Sequence, residues 1–487
     1  MKRLAVAILA AIALVATAAV VNTTRLRSRQ PAPGRLADMT LDVAAAASRL
    51  SESVRFRTVT TDDEAISAPE AFTAFHAFLE RSFPLVAKNL PREVVGNYSL
   101  LYTWTGAHPD RAPVILLAHQ DVVPADPASL QAWRHPPFDG VIADGAIWGR
   151  GTLDDKSGVM GTLEAVEELL ARGFVPDRTI YLAFGHDEEG GHSPNGASQL
   201  AAVLKARGVK NATLMDEGGW IVDIVPGVSQ PVALIGIAEK GFVSIELTTK
   251  SDGGHSSMPP AETVIGILSR AVDRVERSSM PARLDGASAA LFDTLAPEMA
   301  LGYKTLFGNL WLTRRLVVSQ LAKKPTTNAA IRTTTAPTIF RAGDKENVLA
   351  STGTAVINFR LLPGDTADDV LLHVRSTIND ARVAVNFYRG AAGFAPSAVS
   401  PYDTPDFAAI GGAVRAVYPN VLVAPYLTLG ATDARQFAEV ASARYRFLPI
   451  NQPGATELLH APNEHILVNV YADTIRAYGA IIQGLGR

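Results

Sequence analysis

Apolar positions follow two periods along this chain. Short unbroken runs rich in β-branched and aromatic residues, at 98–104, 113–118, 179–184 and 212–215, have the length and composition of buried strands. Helical patterning precedes them through 41–50 and 70–83, and it returns between them. Val159, Leu163, Val166 and Leu170 recur at helical spacing before Gly173, and a second such stretch covers 199–205. Strand and helix alternating in this way predict an α/β fold, a mostly parallel sheet flanked by helices, with the carboxyl ends of its strands along one edge. Open α/β sheets bind ligands at that edge.

From about residue 240 the order changes to strand (242–249), helix (263–277), two strands (331–340 and 353–361), helix (367–378) and strand (383–388). That is the ferredoxin-like βαββαβ order. It predicts a lid over 240–395 inserted into a main domain made of 40–239 and 396–487. A further helical stretch, 283–324, interrupts the lid and has no place in it. Residues 1–39 read as a signal or anchor segment and linker. After Lys2 and Arg3 comes an apolar run over 4–21, long for a signal-peptide core and at the lower limit for a membrane span. Ala16-Thr17-Ala18 offers a cleavage site. The expectation is an exported chain, tethered to a membrane by 4–21 and facing away from the cytoplasm, or secreted or periplasmic if the segment is cleaved.

Composition narrows the chemistry. With 47% hydrophobic and 19% charged residues over 487 positions, the chain is globular with ample core. Its 45 Lys and Arg against 48 Asp and Glu leave a net charge of -3, so nothing in the bulk charge argues for nucleic acid. The absence of Cys excludes disulfides, thiolate ligands and a Cys nucleophile together. Any metal must be held by His, Asp and Glu.

Those residue types gather where the apolar runs stop. The run at 113–118 ends in His119-Gln120-Asp121, the run at 179–184 in Gly185-His186-Asp187-Glu188-Glu189-Gly190, and the run at 212–215 in Asp216-Glu217-Gly218. A glycine-rich loop brings Asp154-Asp155-Lys156 to a helix entrance. Each piece alone has a bland reading: a structural His, a solvated loop edge, a helix N-cap. A His-x-Asp pair says more, because the carboxylate can fix the tautomer that offers the other ring nitrogen to a metal. With parallel strands, His119, Asp154, Glu189 and Asp216 can converge on one edge. His460, before the last amphipathic helix, supplies a second imidazole. The lid offers His255 in a glycine-rich loop and Arg360, and Arg435 stands at a helix start suited to a carboxylate. Neither a phosphate-loop spacing nor a Gly-x-Ser-x-Gly elbow is present.

Together His119-x-Asp121, Asp154-Asp155-Lys156, Glu188-Glu189-Gly190, Asp216-Glu217-Gly218, Gly254-His255-Ser256 and His460 resemble the two-zinc exopeptidase family of aminoacylase, carboxypeptidase S and carnosinase, over nearly all of 40–487. The stretches 215–219, 238–241 and 328–335 are most similar to carboxypeptidase S and the secreted N-fatty-acyl-amino-acid synthase/hydrolase branch. The resemblance implies two Zn2+ per subunit, with cobalt or manganese as substitutes. His119 and Asp216 would hold one, Glu189 and His460 the other, and Asp154 would bridge them, with Glu217 the alternative to Asp216. Glu188 would be the general acid/base, Asp121 the partner of His119, and His255 an oxyanion stabiliser reached by lid closure. Arg360 and Arg435 would be sites for a substrate carboxylate. His186, Asp187 and the Gly191-His192 pair would have structural roles only. The implied function is hydrolysis of an N-acyl amino acid, N-fatty-acyl included, or of an N-peptidyl amino acid with a free carboxylate. The alternative is a carboxypeptidase or dipeptidase on short peptides. Homodimerisation through the lid is a further expectation. A binding protein that kept the fold without catalysis would lack a ligand or the base, and none is missing.

Overall fold

The computed structural model describes residues 2–61, 68–190, 195–223 and 225–487. Six principal strands precede the lid: β1 (Arg92–Val95), β2 (Ser99–Trp104), β3 (Val114–His119), β4 (Ile180–Gly185), β5 (Ala212–Asp216) and β6 (Val232–Glu239). The lid contributes β7 (Gly241–Lys250), β8 (Thr334–Ala342), β9 (Thr352–Leu361) and β10 (Val383–Phe387), after which β11 (Leu422–Thr428) and β12 (Ala441–Arg446) rejoin the main sheet. That sheet runs β1-β2-β4-β3-β5-β12-β6-β11. β3 is parallel to β4 and β5, β5 to β12, and β6 to β11, whereas β1 and β2 form an antiparallel margin. The expected mostly parallel sheet is therefore present.

All six positions of β3 are buried, which explains its unbroken apolar run: helices cover both faces of the sheet. Val114, Leu116 and Ala118 join the core beneath the helices Lys156–Ala171 and Val468–Leu485, while Ile115 and Leu117 pack on the other side against Ala197–Ala206. Each such aliphatic side chain contributes about 1.5–3 kcal/mol when fully buried. An acid inside the run would be excluded, and the run ends at His119, where the polar candidates begin.

The lid sheet has the order β8-β9-β7-β10, with its first strand between the third and the fourth. This is the ferredoxin-like arrangement anticipated above. The helices Val264–Arg277 and Ala367–Ile378 pack on it through Ile267, Leu268, Val370 and Val374. A reciprocal capping box between Thr366 and Asp369 starts the second helix.

The stretch 283–324 forms helices Gly286–Leu295, Leu301–Gly308 and Leu310–Leu321, followed by Pro325–Ile331. Their apolar side chains, Phe292, Leu295, Phe307, Val317 and Leu321, pack on Val232 of β6 and on Leu422 and Ala424 of β11. The insertion thus belongs physically to the main sheet. Lys240, buried at the junction with the lid, ties it down: its Nζ donates to the carbonyls of Ala329 (2.9 Å) and Arg332 (2.8 Å).

The amino-terminal helix Lys2–Arg25 buries only Thr23. Its end is fastened to the insertion, where Asn309 Nδ2 donates to Thr23 Oγ1 (3.0 Å) and Asn22 Nδ2 to Asn309 Oδ1 (3.2 Å). The following segment, expected to be a linker, is docked. Gln30 exchanges two hydrogen bonds with the backbone of Val423 and so pairs groups that the outermost strand, β11, leaves open.

Candidate metal centre

Four of the expected ligands meet at one place. His119, the last residue of β3, points Nε2 at Asp154 Oδ1 (2.9 Å). The other oxygen of Asp154 lies 3.1 Å from His460 Nε2, which is also 3.1 Å from Glu189 Oε1. Asp154 therefore stands between the two imidazoles, one oxygen to each. Donor atoms of His119, Asp154 and Glu189 all lie within 4.8 Å of one another. Donors around a tetrahedral zinc, at about 2.0–2.1 Å from the ion, are roughly 3.3 Å apart, so these spacings fit. The donor set, imidazole and carboxylate without thiolate, suits zinc and its neighbours. An imidazole proton shared by two carboxylates marks the kind of position a divalent cation takes over, with release of the proton.

Local structure explains why Asp154, and not its neighbour, is available. Asp155 is the N-cap of the helix Lys156–Ala171: its Oδ1 accepts from Gly158 N (3.1 Å) and its Oδ2 from His119 N (3.4 Å). Asp121 is fully buried and serves both sides of the site. Its backbone carbonyl is 3.0 Å and its carboxylate 3.4 Å from His119 Nδ1. The same carboxylate accepts from Glu189 N (2.9 Å), Glu188 N (3.3 Å) and Thr60 Oγ1 (2.6 Å). It orients the imidazole and pins the backbone of both glutamates.

Two residues of this machinery escaped the sequence reading. Glu464, fully buried, accepts at Oε1 from the backbone N–H of Gly151 (2.9 Å), Leu153 (2.9 Å) and Asp154 (3.3 Å), while its Oε2 pairs with Arg150 (2.6 Å). Arg150 donates onward to the carbonyl of His460 (3.0 Å). One ion pair thereby holds the Asp154 loop and the His460 loop together. The only signal in the sequence was that Glu464 lies four residues beyond His460.

Electrostatics separate the acids. Asp154 is held well below the usual carboxylate range: burial opposes this, but hydrogen bonds from His119 and His460 prevail. Burial would lower His119, yet Asp121 and Asp154 keep it well above its ordinary value. His460 is raised to about 10 by its bonds to Asp154 and Glu189. Glu189 is raised to about 7 by burial and by the charge of Asp154. Glu188 is pushed well above the usual range by burial and by the charges of Glu189, Glu217 and Asp433 around it. Asp216, at the end of β5, has its Oδ2 engaged by Ala434 N (2.8 Å). Glu217 is raised well above the usual range by burial and by Asp154 and Asp155.

His255 is exposed on the lid, where its Nδ1 lies 2.7 Å from Ser257 Oγ in its own loop. Arg360 and Arg435 come to one feature: the Phe242 and Phe394 rings stack at 5.7 Å, and the guanidinium of Arg360 lies 5.0 Å over the first and that of Arg435 4.9 Å over the second. Among the described residues neither arginine makes an ion pair. His186 is buried against Ser99 Oγ (2.7 Å) and between Phe72 and Tyr98, a structural placement. Asp187 accepts from Gly196 N (2.9 Å) at the next helix entrance. The Gly191-His192 pair lies outside the described residues.

Comparison with known proteins agrees with this geometry. Residues 115–484 match Peptidase family M20/M25/M40. A probable carboxypeptidase S-like protein of Dictyostelium discoideum is 38% identical over 476 residues, 95% of this chain and 91% of that protein. The N-fatty-acyl-amino acid synthase/hydrolase of Homo sapiens is 39% identical over 442 residues, 89% and 86% of the two chains. Among solved structures, an M20 family metallo-carboxypeptidase from Sulfolobus solfataricus has the same fold, with a TM-score of 0.65 at 16% identity over 92% of this chain and all of its own.

Proposed function

The chain belongs to peptidase family M20/M25/M40, and from that premise we propose that this metallo-hydrolase carries two zinc ions and cleaves an amide next to a free carboxylate, releasing an amino acid from an N-acyl group. The observation that carries the reading is Asp154 set between His119 and His460, with Glu189 beside them. We assign His119, Asp154, Glu189 and His460 to the metals, with Glu217 as the remaining acid. Asp216, the first expectation for that position, already has an oxygen bonded to Ala434.

Bound at these residues, divalent metals would acidify a water and polarise the scissile carbonyl. The chain's own groups do the rest. Glu188 takes the water proton as the oxygen adds to the carbonyl carbon, and it returns that proton to the amine nitrogen as the C–N bond breaks. Its raised proton affinity suits a group that must both take and give. Asp121 keeps the two adjacent glutamates in separate roles by fixing their backbone. Arg360 and Arg435 receive the carboxylate, and His255 reaches the developing oxyanion when a lid closes over the site, from this chain or from a second copy.

Purified protein assayed on N-oleoyl amino acids, on their carboxamide analogues and on dipeptides tests this. Hydrolysis of the first with little of the second is expected, and Glu188→Gln is expected to lower kcat by at least about 100-fold with bound metal retained. Full activity in that variant, or protein without metal, refutes the reading. The similarity to carboxypeptidase S-like proteins supports a second one, peptide hydrolysis; preference for dipeptides in the same panel would establish it.

The apolar Lys2–Arg25 helix fits a signal or an anchor. We propose an anchor. The insertion helices that hold its end also expose Leu301, Trp311, Leu312 and Leu316, a surface suited to the same bilayer. Alkaline extraction of membranes decides, since an anchored chain stays in the pellet and a cleaved one is released.

A further inference from the structure

A fourth apolar run, 232–238, also ends in an acid. Glu239 closes β6 and is buried. Its Oε2 accepts from Thr432 N (3.0 Å), from Thr432 Oγ1 (3.1 Å) and from Arg446 Nε (3.3 Å), so three donors converge on one oxygen. Among the described residues its Oε1 has no hydrogen-bond partner, and neither has Nη2 of the fully buried Arg446. A buried ion pair arranged in this way is weak support for a fold, which apolar residues of like size often provide as well. What it does secure is the place of Thr432.

Thr432 in turn holds Arg435. Its hydroxyl directs its proton at Glu239 and accepts from Ala434 N (3.3 Å), which caps the turn Asp433–Phe437. Its carbonyl accepts from Arg435 Nη1 (3.0 Å). A second support for that guanidinium is the Phe394 ring, 4.9 Å from it. The backbone of Glu239 reaches this support too. Its N–H donates to Ser397 Oγ (2.9 Å) and its carbonyl accepts from Ser397 N (3.1 Å), and a few residues on, Phe242 and Phe394 exchange two backbone hydrogen bonds of 2.9 Å. The carboxylate and the backbone of one residue therefore fix both supports of Arg435.

We infer that Glu239 is a positioning residue for the substrate carboxylate: through Thr432 it holds the guanidinium of Arg435 in one orientation before substrate arrives, and so sets the preference for a free carboxylate over an uncharged end. The inference rests on the reading in which Arg435 receives the carboxylate, and it deepens that reading by naming what makes the arginine selective. Ordering a rotamer-rich side chain on binding costs about 2- to 12-fold in affinity. A guanidinium already held in place loses less. A carboxylate gains most from this, because both of its oxygens form charge-assisted bonds with the fork. A carboxamide offers one neutral acceptor and gains less.

The test is the ratio of kcat/KM for an N-oleoyl amino acid to that for its carboxamide analogue, on the full chain loaded with zinc; a dipeptide and its amide take their place if peptides are the better substrates. Arg435→Met should lower the ratio about 10- to 100-fold, the loss of a hydrogen-bonded charge. Glu239→Met combined with Arg446→Met, which leaves no buried charge alone, should lower it about 3- to 12-fold, with the change in KM for the acid rather than in kcat. Glu239→Gln keeps an acceptor for Thr432 and should hold the ratio near wild type. Added to Arg435→Met, the paired substitution should have no further effect on the ratio, since both act on one guanidinium. Thr432→Val, which removes only the hydroxyl, is the second variant should the paired one fail to fold, and it should lower the ratio by the same route. An unchanged ratio in a folded variant, or an equal loss on both compounds, overturns the inference while Arg435→Met lowers the ratio. If Arg435→Met leaves the ratio where it was, the carboxylate assignment of Arg435 falls, and the inference falls with it.

Discussion

Glu464→Gln is the substitution that most directly tests how the centre is held. The side chain is fully buried, keeps its size in the variant and loses one acceptor. If the amide oxygen takes the place of Oε1, it still receives Gly151, Leu153 and Asp154 N–H, but the new NH2 faces the guanidinium of Arg150, where the ion pair was 2.6 Å long. If the amide turns over, Arg150 keeps an acceptor and three backbone donors lose theirs. Either way a buried guanidinium loses its counter-charge. Breaking a buried pair by removing one partner is worth about 3–5 kcal/mol, and partners that orient metal ligands change affinity by about 10–100-fold. Urea unfolding of the metal-stripped protein should therefore show a loss of about 3 kcal/mol or more. Competition with a chromophoric chelator should show zinc affinity reduced at least about tenfold. Arg150→Met combined with Glu464→Gln should recover part of the stability, because no charge is then left alone. A variant within about 1 kcal/mol of wild type, with unchanged zinc affinity, would mean that the Asp154 and His460 loops hold their places without this pair.

Two further predictions follow from buried groups. His76 sits against Gln120 Oε1 (2.8 Å), and burial lowers its pKa to about 4. Between pH 6.5 and 4 the unfolded chain takes a proton that the folded chain refuses, so stability falls with pH through that window, by about 2 kcal/mol between pH 7 and 5. Metal-stripped wild type compared with His76→Gln by urea unfolding at both pH values should show this difference in slope, and equal slopes would remove His76 as its source. Glu217→Gln should weaken zinc binding at least about tenfold with little loss of stability, whereas Asp216→Asn should chiefly destabilise the 433–437 turn. Chelator competition and thermal unfolding on both variants distinguish the two, and the reverse pattern would return Asp216 to the metal.

The four-stranded sheet of 240–395 was legible because strand and helix periods alternate on either side of the 283–324 insertion, and its 367–378 helix has the boundaries read from sequence. In the main sheet β2 to β5 were legible as apolar runs, whereas β1, four residues long and largely open to solvent, was not read. Other elements were not, and each for a physical cause. The strands Val141–Ala143, Ala146–Trp148 and His465–Leu467 pair with one another but are three residues long, too short to display a period. The insertion helices bury their apolar faces on Val232, Leu422 and Ala424, partners distant in sequence, so nothing local said where they go. The ligands we propose at strand ends, His119 and Glu189, stood out because a His or an acid interrupts an apolar run there. Glu464 could not, because its function is to accept hydrogen bonds from residues more than 300 positions away. Nor does the sequence distinguish Asp154 from Asp155; the helix cap does.

That distinction extends to the whole centre. Three adjacent acidic pairs arrive at the sheet edge: Asp154-Asp155, Glu188-Glu189 and Asp216-Glu217. A strand end or helix entrance leaves backbone N–H groups unpaired, and a buried carboxylate near them lowers its energy by accepting those bonds. In the first pair Asp155 does this, and Asp154 is left to the imidazoles. In the third Asp216 accepts from Ala434, and Glu217 is left among Asp154, Asp155 and Glu188. The second pair has no such division of its own, since its backbone N–H groups are taken by Asp121. Among the described residues neither of its carboxylates accepts from the backbone, which suits the proposal that one binds metal while the other carries a proton. The pair to which we assign the base is thus the one whose backbone is anchored by a different residue, Asp121, a carboxylate buried between β3 and the glutamate loop.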